Sequence, residues 1–90
     1  PAWMRWYRPR NEARFERFAR EIFGEQDGAV GIDRLEAWFR QIGAPVTLEE
    51  GGMPRDGIPA LAANAFGLAR MWGLDGLYPE SVIAEILETA

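Results

Sequence analysis

Carboxylate and guanidinium groups are the main side chains in this sequence that could do acid–base chemistry or bind ions, since it contains no histidine and no cysteine. The carboxylates occur in pairs three or four residues apart, a spacing that places both members on one face of a helix. The pairs are Glu12 with Glu16, Asp33 with Glu36, and Glu85 with Glu88. General acid–base catalysis would need one buried member, and nothing in the sequence marks one. We interpret the pairs as solvated helix faces, with nearby arginines as ion-pair partners.

Composition excludes most catalytic and metal-binding constellations. A Ser–His–Asp or Cys–His arrangement needs histidine as its base, and structural zinc sites need Cys or His ligands. The sequence has neither a G-x-G-x-x-G motif nor a Walker loop. Asp27-Gly28 resembles the middle of an EF-hand loop, but the first and last ligand positions would fall on Phe23 and Arg34, which cannot bind calcium. We therefore assign no catalytic, cofactor-binding or metal-binding residue within residues 1–90.

Arginine and aromatic residues are concentrated at the start of the chain. Residues 1–20 hold six arginines against two glutamates, whereas the remainder holds four arginines against twelve acidic residues. Basic residues among aromatic ones can bind nucleic acid, but arginine stacked on tryptophan can equally cover a helix interface. Because the whole chain is acidic, with a net charge of −4, we favour packing or an interface. We expect neither nucleic acid nor a membrane as a partner.

The carboxylates and arginines are expected to lie on helices, because apolar residues recur at helical spacing along the chain. The sequence shows no extended alternation of apolar and polar residues of the kind that predicts a β-strand. The first apolar stripe begins after Asn11, a good N-cap, and ends at Gly24. Its members are Phe15, Phe18, Ala19 and Ile22. The second stripe ends at Gly43. Its members are Ile32, Leu35, Trp38, Phe39 and Ile42.

The second half of the chain predicts two further helices. Asp56 is expected to cap a helix whose apolar residues begin at Ile58, and Pro79 is expected at the first position of the last helix. Thr47 and Glu50 have the spacing of a capping box around a short turn. The prediction is therefore an all-α fold, a small helical bundle of about four main helices.

The order of these motifs resembles the C-terminal part of the iron-containing (group III) alcohol dehydrogenases, in particular the butanol dehydrogenase-like branch. The resemblance covers essentially all ninety residues, and its most specific block is Phe39-Arg40-x-Ile42-Gly43-x-Pro45. The other blocks are Pro1-Ala2-Trp3-Met4-Arg5, Phe15-x-x-Phe18-Ala19, Gly31-Ile32-x-x-Leu35-x-x-Trp38, Thr47-Leu48-x-Glu50-x-Gly52, Ile58-Pro59-x-Leu61-Ala62-x-x-Ala65 and Pro79-Glu80-x-Val82-x-x-Ile86-Leu87. The sequence departs from the family at Tyr78, where members often have a small polar cap.

This resemblance implies that residues 1–90 are the C-terminal part of an all-helical, metal-binding dehydrogenase domain. In that family the metal (Fe or Zn) is held by one Asp and three His, and an N-terminal Rossmann-like domain binds NAD(P). The last metal histidine lies shortly before a segment like Pro1-Ala2-Trp3-Met4, so the nucleotide-binding domain and the metal-ligand helices are expected upstream. The parent protein would be a metal-dependent, NAD(P)-linked oxidoreductase, and this segment alone would be inactive and structural.

A free-standing helical protein-interaction module is the alternative interpretation. Its groove would be built from Trp3, Trp6 and Tyr7 together with the alanine-rich face of residues 60–69. For the dehydrogenase segment, the expected partners are the upstream remainder of the same enzyme and a second copy, in a homo-oligomer associating through the N-terminal aromatic residues. The absence of cysteine, of a secretory signal and of a long apolar run predicts a cytoplasmic protein.

Overall fold

The computed structural model describes all residues, 1–90, and every regular element in it is helical. Two short 3-10 turns, Arg8–Arg10 and Arg55–Gly57, and one π-helical turn, Ala19–Phe23, accompany five α-helices. The α-helices are α1 (Ala2–Tyr7), α2 (Glu12–Phe18), α3 (Gly28–Gln41), α4 (Ile58–Met71) and α5 (Glu80–Thr89). The predicted all-α fold with about four main helices is confirmed, and α1 adds a fifth, shorter helix. The chain divides into two compact units, Pro1–Val46 and Thr47–Ala90.

A close backbone approach between α3 and the preceding helical segment builds the core of the first unit. Phe15 and Ala19 on one side and Ile32 on the other are buried. Gly31 lies at the point of contact, and a Cβ atom built on it would lie only 2.5 Å from the Cβ atom of Ala19. The two segments can approach this closely because glycine has no side chain to separate them.

The π-helical turn Ala19–Phe23 changes which side chains face the core. A π turn holds an extra residue compared with an α turn, so side chains after it are rotated away from the helical stripe that precedes it. Ile22, which the sequence placed on the apolar face, is 63% exposed. Phe23 is half-buried and meets the ring of Phe18 edge-on, with ring centroids 5.8 Å apart. Gly24 ends the segment with a φ of 69°, as predicted.

Asp27, which resembled part of an EF-hand loop in the sequence, is the N-cap of α3. Its Oδ1 atom accepts a hydrogen bond of 2.8 Å from the backbone N–H of Ala29. We expect Asp27→Ala to lower the free energy of unfolding by about 1 kcal/mol, since one N–H at the start of the helix loses its acceptor. Chemical denaturation followed by tryptophan fluorescence measures this loss.

Asn11 supplies the matched control for this change. It precedes α2 at the equivalent position, but its side chain makes no capping hydrogen bond, although the sequence marked it as a good N-cap. Asn11→Ala should therefore leave the free energy of unfolding almost unchanged. Asp27→Asn should also retain most of the wild-type stability, because asparagine is an equally good cap. Equal losses in Asp27→Ala and Asn11→Ala would contradict the capping role of Asp27.

The second unit is built from α4 and α5, which pack against each other. Ile58, Ala62 and Ala69 of α4 are buried, and Ile58 is the one large side chain of this unit that is fully enclosed. The apolar face of α5 is half-buried; its residues are Val82, Ile83, Ile86 and Leu87. The start of the unit is tied to its end, because the N–H of Leu48 donates to the carbonyl of Ala90 over 2.9 Å.

Two predicted helix starts in this unit are displaced by one residue or more. Asp56 lies within the 3-10 turn before α4 and makes no capping bond, and Gly57 occupies the N-cap position instead. Pro79 is the N-cap of α5 rather than its first residue. The predicted turn at Thr47 does form, and the N–H of Glu50 donates to Thr47 Oγ1 over 3.0 Å. The side-chain hydrogen bond of Thr47 thus forms the predicted turn. The starts of α4 and α5 depend instead on the backbone conformation of the residues just before each helix.

Candidate functional site

The carboxylate pair Asp33 and Glu36 is joined to α1 by a single arginine. Arg5 Nη2 donates to Asp33 Oδ1 at 2.8 Å and to Glu36 Oε2 at 3.0 Å. The hydrogen bond to Asp33 is the largest cause that raises the pKa of Arg5, with Glu36 adding to it and partial burial opposing both. Both carboxylates thus share one guanidinium group, which links α3 to α1.

The other two carboxylate pairs are likewise solvated. Glu12 forms an ion pair with Arg8 at 3.6 Å, one helical turn away, and Glu16 is exposed. Glu85 and Glu88 are exposed on α5. The carbonyl of Glu88 also accepts a hydrogen bond from the Arg55 side chain. This geometry agrees with our interpretation of the pairs as charged surface.

The N-terminal aromatic residues stack on one another and on the core of the first unit. Trp3 and Tyr7 are stacked with ring centroids 5.1 Å apart, and Tyr7 meets Phe15 edge-on at 6.4 Å. Arg10 lies over the ring of Trp6 at 3.8 Å and donates to the Trp6 carbonyl at 2.7 Å. The predicted packing of arginine on tryptophan is therefore present, within α1 and the turn that follows it.

The arginines of α2 and the π turn are placed differently from those before them. Arg5, Arg8 and Arg10 are engaged by the contacts described above. By contrast Arg14, Arg17 and Arg20 are exposed, and none forms a salt bridge within the chain. Their positive charge is therefore available to a partner.

Three adjoining grooves cross the surface of the first unit around these arginines. The first, of about 260 Å³, lies between α1 and α2 and is lined by Trp3, Met4, Tyr7, Arg14, Phe15 and Phe18. The second is lined by Arg14, Arg17, Phe18, Glu21 and Ile22. The third, of about 360 Å³, is lined by Ile22, Phe23, Leu35 and Trp38. Because neighbouring grooves share lining residues, they form one continuous surface, which we call the α2 band.

Sequence reasoning missed most of the α2 band. The spacing of Arg14, Arg17 and Phe18 did place them on one helical face, which was the available signal. Nothing local predicted that the π turn would expose Ile22 beside them, or that Trp38 would be 48% exposed. Of the residues predicted for the groove of an interaction module, Trp3 and Tyr7 line the α2 band. The alanine-rich face lies in the second unit, where Ala62 and Ala69 are buried.

A second apolar surface lies at the end of α4 and in the loop after it. Five large apolar residues are exposed there within a short stretch of chain, and Trp72 is 69% exposed. They are Leu68, Met71, Trp72, Leu74 and Leu77. Exposed apolar patches of this kind commonly mark protein contacts.

Comparison with known proteins supplies no relative: no family model, no curated protein and no solved structure matches the chain. No group of three or more Asp, Glu, His or Cys side chains converges at a place where it could hold a metal ion. None of the helices combines the length and the apolar character needed to cross a bilayer. The candidate site of the described residues is the α2 band, where three grooves adjoin two exposed arginines.

Proposed function

We propose that this chain is the C-terminal helical segment of a metal-dependent, NAD(P)-linked alcohol dehydrogenase or aldehyde reductase. The observation that carries the proposal is the ordered set of motifs, above all the block from Phe39 to Pro45. The all-helical architecture is compatible with it, and Gly43 of that block ends α3 with a φ of 80°. The metal and the nucleotide would be held by other parts of the parent protein, since the residues described here offer no ligand set.

The role of the segment in such an enzyme would be structural. It offers no acid–base pair, but it presents apolar side chains that a neighbouring surface would cover, including Ile22 and Trp38. Burial of such side chains stabilises an assembly by about 25 cal/mol per Å² of apolar surface removed from water. The segment would thus support the metal-bearing helices rather than contribute reacting groups.

Metal analysis and an activity assay test this proposal on the full-length gene product. We expect one bound divalent metal per chain and reduction of aldehydes with NADH or NADPH, because the metal would polarise the substrate oxygen for hydride transfer. The ninety-residue chain should show no activity with any added metal or nucleotide. A full-length product with neither bound metal nor reductase activity would refute the proposal.

A helical interaction module is the second candidate, and the α2 band is the observation that favours it. The reading frame upstream of Pro1 distinguishes the two candidates. A histidine shortly before Pro1 and a glycine-rich nucleotide-binding fold further upstream would favour the dehydrogenase segment. An initiator methionine close to Pro1 would favour the module.

A further inference from the structure

The α2 band combines apolar ends with a cationic middle. Trp3 and Tyr7 line the groove at one end, and Trp38 lines the groove at the other. Arg14 and Arg17 line the groove between them. Three adjoining grooves with apolar side chains at both ends resemble the surfaces that receive amphipathic helices, whose anchors are spaced three, four and seven residues apart.

The middle of the band carries more positive than negative charge. Arg14 and Arg17 are exposed and make no salt bridge, and Glu21 is the one acidic residue that lines the band. The two guanidinium groups lie beside half-buried Phe18 and exposed Ile22. Any surface that covers them should supply carboxylates, because buried or half-buried charges need partners.

We infer that the α2 band is the docking surface for an acidic amphipathic helix, whose apolar side chains enter the two end grooves and whose carboxylates pair with Arg14 and Arg17. The helix is supplied by the rest of the parent polypeptide, and in naming that source the inference rests on the proposed function. Complementary charge fixes the register of such a helix, while the apolar side chains contribute most of the affinity.

A model peptide tests the chemistry of the surface on the ninety-residue chain. The probe is an amphipathic peptide of about 15 residues, with leucines at helical spacing and glutamates beside them, and its counterpart has lysine in place of every glutamate. Fluorescence anisotropy of the labelled peptides measures binding. We expect the glutamate peptide to bind at least about tenfold more tightly than the lysine peptide, because only the former can pair with the arginines.

Variants at three arginines make the test specific to the band. Arg14→Glu combined with Arg17→Glu should weaken binding of the glutamate peptide by about tenfold or more. Arg20→Glu is the matched control, since Arg20 is exposed on the same segment but does not line the band, and it should leave binding nearly unchanged. Ile22→Ser should also weaken binding, and far-UV circular dichroism should show unchanged helix content because Ile22 is mostly exposed.

Four results would overturn the inference. Equal binding of the two peptides would contradict pairing of carboxylates with Arg14 and Arg17. Binding that the double arginine variant does not weaken would contradict it as well. If the glutamate peptide does not bind, the α2 band is not a docking surface for an acidic helix. In the full-length product the parent polypeptide should already cover the band. If the peptide binds that product as tightly as it binds the ninety-residue chain, the parent polypeptide does not supply the helix.

The activity assay separates this inference from the dehydrogenase proposal. An active full-length product that still takes up the glutamate peptide contradicts the inference alone. An inactive, metal-free product that excludes the peptide contradicts the dehydrogenase proposal alone, because the band is then covered by a parent protein of another kind.

Discussion

Gly31→Ala is expected to lower the free energy of unfolding of the first unit by about 2 kcal/mol, although alanine is normally the better helix residue. In an exposed helix the change would raise stability by about 0.5–1 kcal/mol. At position 31 the new Cβ atom would lie 2.5 Å from the Cβ atom and 2.8 Å from the Cα atom of Ala19. Neither atom can rotate away, so the two segments must separate, at a cost typical of an overpacked core, up to about 3 kcal/mol.

Gly67→Ala is the matched control, because Gly67 lies inside α4 with no atom within 4 Å of the added methyl group. This change should raise stability by about 0.5–1 kcal/mol. Urea denaturation measures both effects, and fluorescence in a Trp72→Phe background reports on the first unit, which holds Trp3, Trp6 and Trp38. If both glycine changes stabilised the protein, the close approach of α3 to Ala19 would be refuted.

The role of Gly31 illustrates what could and could not be predicted from the sequence. Apolar spacing and glycine stops are local, so the four main helices and the stops at Gly24 and Gly43 could be predicted. The distance between α3 and Ala19 depends on two residues far apart in sequence, and no local pattern encodes it. The π turn is similar, because a stripe read at 3.6 residues per turn assigns Ile22 to the core, whereas the extra residue exposes it.

In the candidate site too, features set by local spacing could be predicted, whereas contacts between residues far apart in sequence could not. Helical periodicity places Arg14, Arg17 and Phe18 on one face, so this part of the band could be predicted. Which arginines remain unpaired could not, since Arg5 takes its two carboxylates from residues 28 and 31 positions away. The sequence analysis expected nearby arginines as ion-pair partners, and the pair of Arg8 with Glu12 is one that is close in sequence.

Ile58→Ala is expected to be the most damaging single substitution in the second unit. Ile58 is only 1% exposed and is the one large side chain of this unit that is fully buried. Replacement of a buried isoleucine by alanine costs about 2–5 kcal/mol, from lost transfer free energy and from the cavity left behind. At about 0.05–0.15 kcal/mol per residue, a unit of this size has a total stability of roughly 2–7 kcal/mol. The variant should therefore lose much of the helix in α4 and α5 at room temperature.

Far-UV circular dichroism and hydrogen exchange of the α4 and α5 amides measure this loss, with two controls. Ile58→Val removes one methylene group and should cost about 1 kcal/mol, and Leu68→Ala, on the same helix but 45% exposed, should cost about 0.5 kcal/mol or less. Equal protection of the amides in Ile58→Ala and Leu68→Ala would contradict the central role of Ile58. The stability of the second unit would then come from the packing of Ala62 and Ala69 against the half-buried face of α5. Such close packing requires small residues on α4 rather than one large side chain.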